Sequence, residues 1–591
     1  MPHATMPSPG FQALILCGPG VSLNTFTSNP KEFPKALLPI ANRPMVWYPL
    51  EWCYRMGITN IKLVTPAESA PALEAALSQN PHLTSLPAPR PDVLAPPELT
   101  QTTGTGDIFR FPSVRAAITG DFVLIPCDLV CELDGSSLLE TWLIHEAGLG
   151  GASGGLLDFG VTKFGMGGEK SGRRGGLAVW YPTKGSETGV KNEETDFIAT
   201  TPLPAPIVTP PRGSLRSDIA KLVYAIPTDT LKDITDEHKS FHIRHRLLRK
   251  YGRVKMQTTH RDAHIYFFPY WVLDMLKANE SFDSVSEDVL GWWAKAGWQE
   301  GLGDKLGLRE VFEGTPSTPE GDIPDALVSS GVLEGEVDVG SMSSTWTSTA
   351  QSRPQRPSDV FASRVPSLIT PTITVNDPLT IPPILAYVQQ PSPSAPLIRR
   401  VDTAAALLVT SLHLAKLPSL DSVDSRTTAS PFAHASKIAY PDGISRPSRV
   451  ETADSLLAEN VTVGAKANIK ECVIGANCAI GISARLTRCL LMEGAVVGDG
   501  AQLTGCVLGR RCKVEGGEGG DGERTKLVDC EVQEGNVVPW GTEAKNEKFM
   551  VFEGLEDDAE MEDDGYAAEA VDDSLGVEEG IEDNIRVQMH V

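Results

Sequence analysis

A seventeen-residue repeat near the end of the chain constrains its fold more than any other feature. Aliphatic residues fall at Val463, Ile469, Ile474, Ile480, Leu486, Leu491, Val497, Leu503, Leu508 and Val514, in steps of six, five and six that then recur. Three such steps make one coil of a parallel β-helix, expected to be left-handed, the hexapeptide-repeat architecture. Glycine follows several of these positions (Gly464, Gly475, Gly481, Gly498, Gly509), where short strands turn corners and a positive φ is inexpensive only without a Cβ. Cys472, Cys489 and Cys506 are also seventeen apart, and with Cys478, Cys512 and Cys530 each lies two residues before a periodic aliphatic. Residues two apart in a strand share a face, so all six should point into the coil as small apolar side chains. Their spacing lacks the C-x-x-C pattern of a metal site. Between Cys506 and Cys530 the spacing grows to twenty-four, with the extra residues in the glycine-rich run Gly516–Gly522. That run should bulge out at one corner before the frame resumes at Leu527, Val532 and Val538.

A chain of 591 residues has material for two or more domains. No run of eighteen apolar residues occurs, so no membrane span is expected. The apolar run Ala13–Cys17 is far shorter than a secretory signal, and with ten cysteines this implies reduced thiols and a cytosolic location. The formal charge of −24 is concentrated: fifteen acidic residues and no Lys or Arg lie between Glu553 and Asp583, leaving the remainder only mildly negative. The acidic stretch reads as a disordered tail, or as a docking segment for a basic partner. A mildly negative body is a poor match to nucleic acid, and no direct nucleic-acid partner is expected.

Ahead of the repeat, strand-like and helix-like segments alternate, which implies a mostly parallel sheet covered by helices. Phe11–Cys17, Ile61–Val64, Asp121–Ile125 and Ile265–Phe268 read as strands. Met45–Met56 reads as a helix closed by Gly57, with Pro49 in its first turn or kinking it. Pro81–Pro97 and Thr201–Ser214 look like proline-rich inserts. The expected organisation is an α/β domain over residues 11–312, a mostly disordered linker over 313–396 in which Pro382–Val388 could dock as a strand, and a docking helix within 397–418. The β-helix follows over 440–545 and the acidic disordered tail over 553–591. That helix should start after Asp402, carry Leu407, Leu408, Leu412 and Ala415, and stop before Pro418.

Ligands of open α/β sheets bind at the carboxyl ends of strands, where Gly18, Gly20 and Asp128 fall. A glycine turn there lets backbone N–H groups approach phosphates, Lys35 could pair with them, and Asp128 could hold Mg²⁺. On these residues alone the glycines could equally form only a turn, with Lys35 on the surface and Asp128 capping a loop. His264 has no base, nucleophile or metal partner nearby in sequence and reads as a structural histidine; Trp292, Trp293 and Trp298 read as core.

The string Phe33-Pro34-Lys35-Ala36-Leu37-Leu38-Pro39-Ile40-Ala41-Asn42-Arg43-Pro44-Met45 resembles the signature of the sugar-nucleotide pyrophosphorylases. The resemblance implies a Rossmann-like nucleotidyltransferase domain followed by a left-handed β-helix, in the order found here. Within that superfamily Asn42–Leu50, Arg261–Tyr266 and Ile398–Thr403 are most similar to the gamma-subunit family of eukaryotic initiation factor two B. This implies a noncatalytic subunit of the guanine nucleotide exchange complex for translation initiation factor two. Its implied partners are the catalytic epsilon subunit, the regulatory subunits and initiation factor two itself. After Trp540 the sequence becomes acidic rather than amphipathic, which favours gamma over epsilon, whose exchange activity lies in a C-terminal helical domain.

Two departures from the active enzymes bear on catalysis. Their first-strand loop carries an arginine that contacts triphosphate, whereas none occurs here before Arg43, and Pro19 stands where an N–H would donate. The Glu-Lys-Pro segment that supplies a second lysine in several of them has no counterpart. Losing one such cation typically costs roughly a hundred-fold in rate. No catalytic residue, resident metal or cofactor is therefore expected, and Gly18, Gly20, Lys35, Thr105 and Asp128 would form a vestigial nucleotide site. The alternative is an active sugar-1-phosphate nucleotidyltransferase such as a GDP-mannose pyrophosphorylase, with Mg²⁺ at Asp128 and phosphate contacts from Lys35.

Overall fold

The computed structural model describes residues 10–146, the strands at 157–158 and 161–162, 174–313 and 379–550, apart from short gaps at 185–187, 192, 206–208, 211–212, 242, 393–394, 423–429 and 518–523. The acidic tail and most of the expected linker lie outside the described residues. So does the tip of the glycine-rich run at Gly516–Gly522.

The expected mostly parallel sheet is instead mixed: the first apolar segments form its parallel part toward one edge, while the later strands pair largely antiparallel. β1 (Gln12–Leu16) lies between β2 (Asn60–Val64) and β4 (Phe122–Pro126), parallel to both, and β3 (Asp92–Leu94) continues the sheet beyond β2. β3 comes from the proline-rich insert Pro81–Pro97; at the sheet edge a strand tolerates flanking prolines because one side needs no ladder donors. β5 (Leu129–Cys131) follows directly on β4 and pairs elsewhere. β6 (Gly176–Pro182), β7 (Asp196–Pro202), β8 (Ile219–Pro227) and β9 (Lys255–Phe268) extend the sheet on its other side, and β10 (Ile384–Val388) is inserted between β6 and β8. The resulting order is β6-β10-β8-β7-β9-β4-β1-β2-β3. β9 is much longer than Ile265–Phe268: its first half pairs with β7, its second with β6 and β4. The pairing with β6 shifts register between Asp262 and Tyr266, and His264 within that irregularity has φ 54, a left-handed value that histidine tolerates better than most residues.

α1 (Trp47–Arg55) keeps Pro49 in its first turn, where the missing N–H is not needed, and Gly57 follows it at φ 78. In α2 (Leu290–Ala296), Trp293 is buried, as is Trp298 just beyond, but Trp292 is 38% exposed. The core reading therefore holds for two of the three tryptophans: Trp292 and Trp293 are consecutive helical residues and cannot both face inward.

The seventeen-residue repeat folds as expected into a left-handed parallel β-helix of three parallel sheets. Val463, Ile480, Val497, Val514 and Val538 stack in one register, Ile469, Leu486, Leu503 and Leu527 in a second, and Ile474, Leu491, Leu508 and Val532 in the third. The six repeat cysteines are all buried free thiols among them. The reason for the periodic glycines differs from the one expected. Positive φ at the corners falls on Asn460, Lys466, Glu471, Asn477, Ser483, Arg488, Gly494, Gly500 and Gly505, not on Gly464, Gly475, Gly481, Gly498 or Gly509. Instead a Cβ at Gly464, Gly475 or Gly509 would come within 2.7–2.8 Å of backbone atoms in the next coil. These glycines permit close stacking of coils.

One outward-facing column of the β-helix changes character along its length. Leu456, Val473, Leu490, Val507, Glu531 and Lys548 are in register. The first four are buried and join the same apolar core as β1 and α1. α3 (Ala404–Lys416) covers this stretch, packing on the strands that hold Val473 and Leu490. The helix is N-capped by Thr403, whose hydroxyl accepts from the Ala406 N–H at 3.2 Å, and it ends before Pro418. Past the helix the column turns polar, and Glu531 accepts from the Thr25 hydroxyl at 2.9 Å.

Candidate functional site

At the carboxyl ends of β1 and β4 lies a cavity of about 180 Å³ lined by residues including Gly18, Lys35, Thr105, Asp128, His264, Tyr266 and Arg400. Four of the five expected site residues thus line one space. Gly20 stands behind it: its φ is 83, and a Cβ there would press on Lys35 Cβ at 3.0 Å. The glycine turn leads only into the three-residue 3-10 turn Val21–Leu23, which provides no helix N-terminus for an anion. Thr105 forms a wall: its hydroxyl accepts from the Val285 N–H at 2.9 Å. Gly104 and Gly106 are required because a Cβ on either would collide with the Phe282–Asp283 backbone.

The chemistry centres on Asp128, which is 1% exposed. Lys35 Nζ lies 2.7 Å from its Oδ2, and Arg400 Nε lies 3.6 Å from its Oδ1. Burial alone would raise the carboxyl pKa, but the charges of Lys35 and Arg400 outweigh it and hold the group well below the usual carboxylate range. Burial likewise pushes Lys35 down, and the Asp128 charge overrides it, leaving the ammonium above its ordinary value. His264 has a partner that sequence proximity could not reveal: Arg400 Nη1 donates to its Nε2 at 3.2 Å. Burial and then the Arg400 charge depress its pKa strongly, so the ring is neutral and accepts at Nε2.

No sequence pattern placed Arg400 in the cleft. It arrives on β11 (Ile398–Arg400), which pairs antiparallel with β5 so that Arg400 is in register with Leu129 beside Asp128. The available signal was the alternation of a short strand, which sends Arg399 and Arg400 to opposite faces. Arg399 pairs with Glu193 at 3.1 Å, while Arg261 pairs with Asp402 at 2.6 Å. Among the described residues, no group of three or more His, Cys, Asp or Glu side chains could hold a metal ion, and no helix is long and apolar enough to cross a membrane.

A family model described as the GMPPB C-terminal domain matches residues 452–519, within the β-helix. The chain is 27% identical over 292 residues to a curated relative, "Translation initiation factor eIF2B subunit gamma" of Schizosaccharomyces pombe, covering 49% of this chain and 52% of the relative. Both matches support the resemblance to the sugar-nucleotide pyrophosphorylase-like superfamily. It spans about half the length of the curated relative it matches.

The superfamily's signature block does more here than line a cleft. Ala41 and Asn42 both have positive φ, and this tight turn aims the segment at the β-helix. The Ala41 N–H donates to Ser411 Oγ at 3.2 Å, Asn42 Nδ2 donates to the Ile474 carbonyl at 3.0 Å, and Arg43 donates to the Phe432 and Ala433 carbonyls at 2.8 and 3.0 Å. Lys35 faces the cleft from one end of the block while Asn42 and Arg43 tie the two folds together at the other.

A second pair of carboxyls lies near the cleft. Asp196 Oδ2 accepts from the Asp262 N–H at 2.6 Å, and Asp262 accepts from the Tyr266 hydroxyl at 2.6 Å. Burial, then the charge of Asp196, pushes the Asp262 carboxyl up to about 7, and burial pushes Asp196 up to about 6. A carboxyl whose folded pKa exceeds its unfolded value binds its proton more tightly when folded, so stability should rise as pH falls from about 7 toward about 4. Melting temperature against pH should show that rise in the native chain, and Asp262→Asn should flatten it.

Proposed function

We propose that this chain is a noncatalytic, cytosolic subunit of the guanine nucleotide exchange complex for translation initiation factor two. It would pair with a catalytic epsilon-type subunit, join the regulatory subunits and help to hold the substrate factor. The supporting observation is the internal neutralisation of Asp128. Among the described residues lining the cleft, the one carboxylate that could anchor Mg²⁺ is already bound by Lys35 and faced by Arg400, which leaves neither the acid nor the lysine free for triphosphate chemistry. The cavity, at about 180 Å³, also falls below the roughly 300–1,000 Å³ usual for ligand pockets. On this reading Gly18, Gly20, Lys35, Thr105 and Asp128 are the remnant of a nucleotide site retained as scaffold.

The test is a pair of assays on the purified chain. With GTP, mannose 1-phosphate and Mg²⁺, no pyrophosphate release above background is expected. With an epsilon-type subunit added, a stable complex and faster GDP release from initiation factor two than with epsilon alone are expected. Enzymatic turnover in the first assay, abolished by Lys35→Ala, would establish the pyrophosphorylase instead.

A further inference from the structure

Residues 239–255 carry seven Lys and Arg and no Asp or Glu, in a chain that is acidic elsewhere. The structure gathers them with further cations on one surface of the α/β domain. The helix His245–Lys250 presents Arg246, Arg249 and Lys250 outward while Leu247 alone is buried, against Val223 and Trp298. Arg244, Arg253 and Lys255 are exposed beside it. Arg244, Arg249, Arg253 and Lys255 have no ion-pair partner among the described residues. Lys295, on α2, belongs to the same cluster: burial and then the Arg244 charge lower its pKa, and burial, Lys221 and Arg246 do so for Lys250. Apolar side chains are interleaved, with Leu248 51%, Ile243 45% and Trp292 38% exposed.

We infer that this surface docks an acidic, amphipathic segment of another protein. Three features favour that partner over a polynucleotide. Arg246 already pairs with the Glu300 carboxylate, so the patch recognises the group such a segment carries. Single-stranded nucleic acid needs bare ring faces for stacking, and here they are capped. Lys295 Nζ sits 4.4 and 4.5 Å from the ring centroids of Tyr224 and Trp292, and Lys221 and Lys250 lie over Tyr251 at 5.5 and 6.0 Å. The exposed aliphatics suit hydrophobic side chains and have no counterpart in a phosphate backbone.

The test is fluorescence anisotropy with the full chain. The probes are a labelled peptide of repeating Glu-Leu-Asp-Phe, an oligoglutamate of equal charge, and single-stranded oligouridylate. The amphipathic peptide should bind best, and more weakly as salt rises. Arg249→Glu with Arg253→Glu should weaken it by about tenfold or more, and the corresponding lysine substitutions should retain binding. Leu248→Ser should weaken the amphipathic peptide while leaving oligoglutamate unchanged, a difference that loss of folding could not produce. The inference is overturned if the peptide shows no saturable binding, if the charge reversals leave binding intact, or if oligouridylate binds more tightly than the peptide through the same arginines.

Discussion

Asp128→Ala is expected to destabilise the folded chain by about 3–5 kcal/mol, because it strands Lys35 as a largely buried cation without its partner and leaves Arg400 with only the more distant Asp402. Thermal or denaturant unfolding of the native and substituted chains measures the difference. Lys35→Met combined with Asp128→Leu should recover much of the loss, since it removes a buried pair together and leaves an apolar contact; Arg400 keeps Asp402 at 3.7 Å. The pH dependence separates this effect from the Asp196–Asp262 pair. The Asp128 pKa is depressed in the fold, so its contribution is complete above the unfolded value near 4 and disappears as pH falls through the folded one. The gap between native and Asp128→Ala should therefore stay constant between about pH 5 and pH 8. A catalytic Asp128 would behave in the opposite way, with activity lost and melting temperature unchanged.

The β-helix was legible because its geometry repeats: every coil imposes the same spacing, and ten aliphatics and six cysteines report one frame. Its periodic glycines were legible as positions but not as reasons, since sequence does not distinguish a corner needing positive φ from a face on which a neighbouring coil leaves no room. The cleft was legible as far as local order carries it. Gly18, Lys35, Thr105 and Asp128 come from strand ends and adjoining loops, which topology brings together. Arg400 and His264 were not, because a residue 272 positions after Asp128 reaches it only through the β5–β11 pairing. The docking column does leave a trace in the sequence. Val473-Ile474, Leu490-Leu491 and Val507-Leu508 are aliphatic pairs at the repeat spacing, and in a strand only one member of a pair can face inward. The other must be covered by something.

What covers it predicts the second large effect. Leu490→Glu should cost at least about 4 kcal/mol, combining the lost apolar burial with an unpaired carboxylate beneath α3. Leu490 is fully buried between Val473 and Val507 in the column, and no basic residue of the column lies nearer than Lys548. The damage should be directional. The inward stack through Leu491 is untouched, so the β-helix should keep its own coils while its seam with the α/β domain opens. Limited proteolysis should then cut between residues 417 and 440 and release a resistant β-helical fragment. Glu531→Gln, in the same column past the end of the helix, should leave the digestion pattern unchanged. The seam also reaches the cleft, because β11, Asp402 and the Thr403 cap form one short segment running from Arg400 into α3. Opening the seam should therefore loosen the Arg400 contacts with Asp128 and His264 as well, and in Leu490→Glu the destabilisation caused by Asp128→Ala should shrink. Full additivity of the two substitutions would mean that the cleft and the docking helix stand independently.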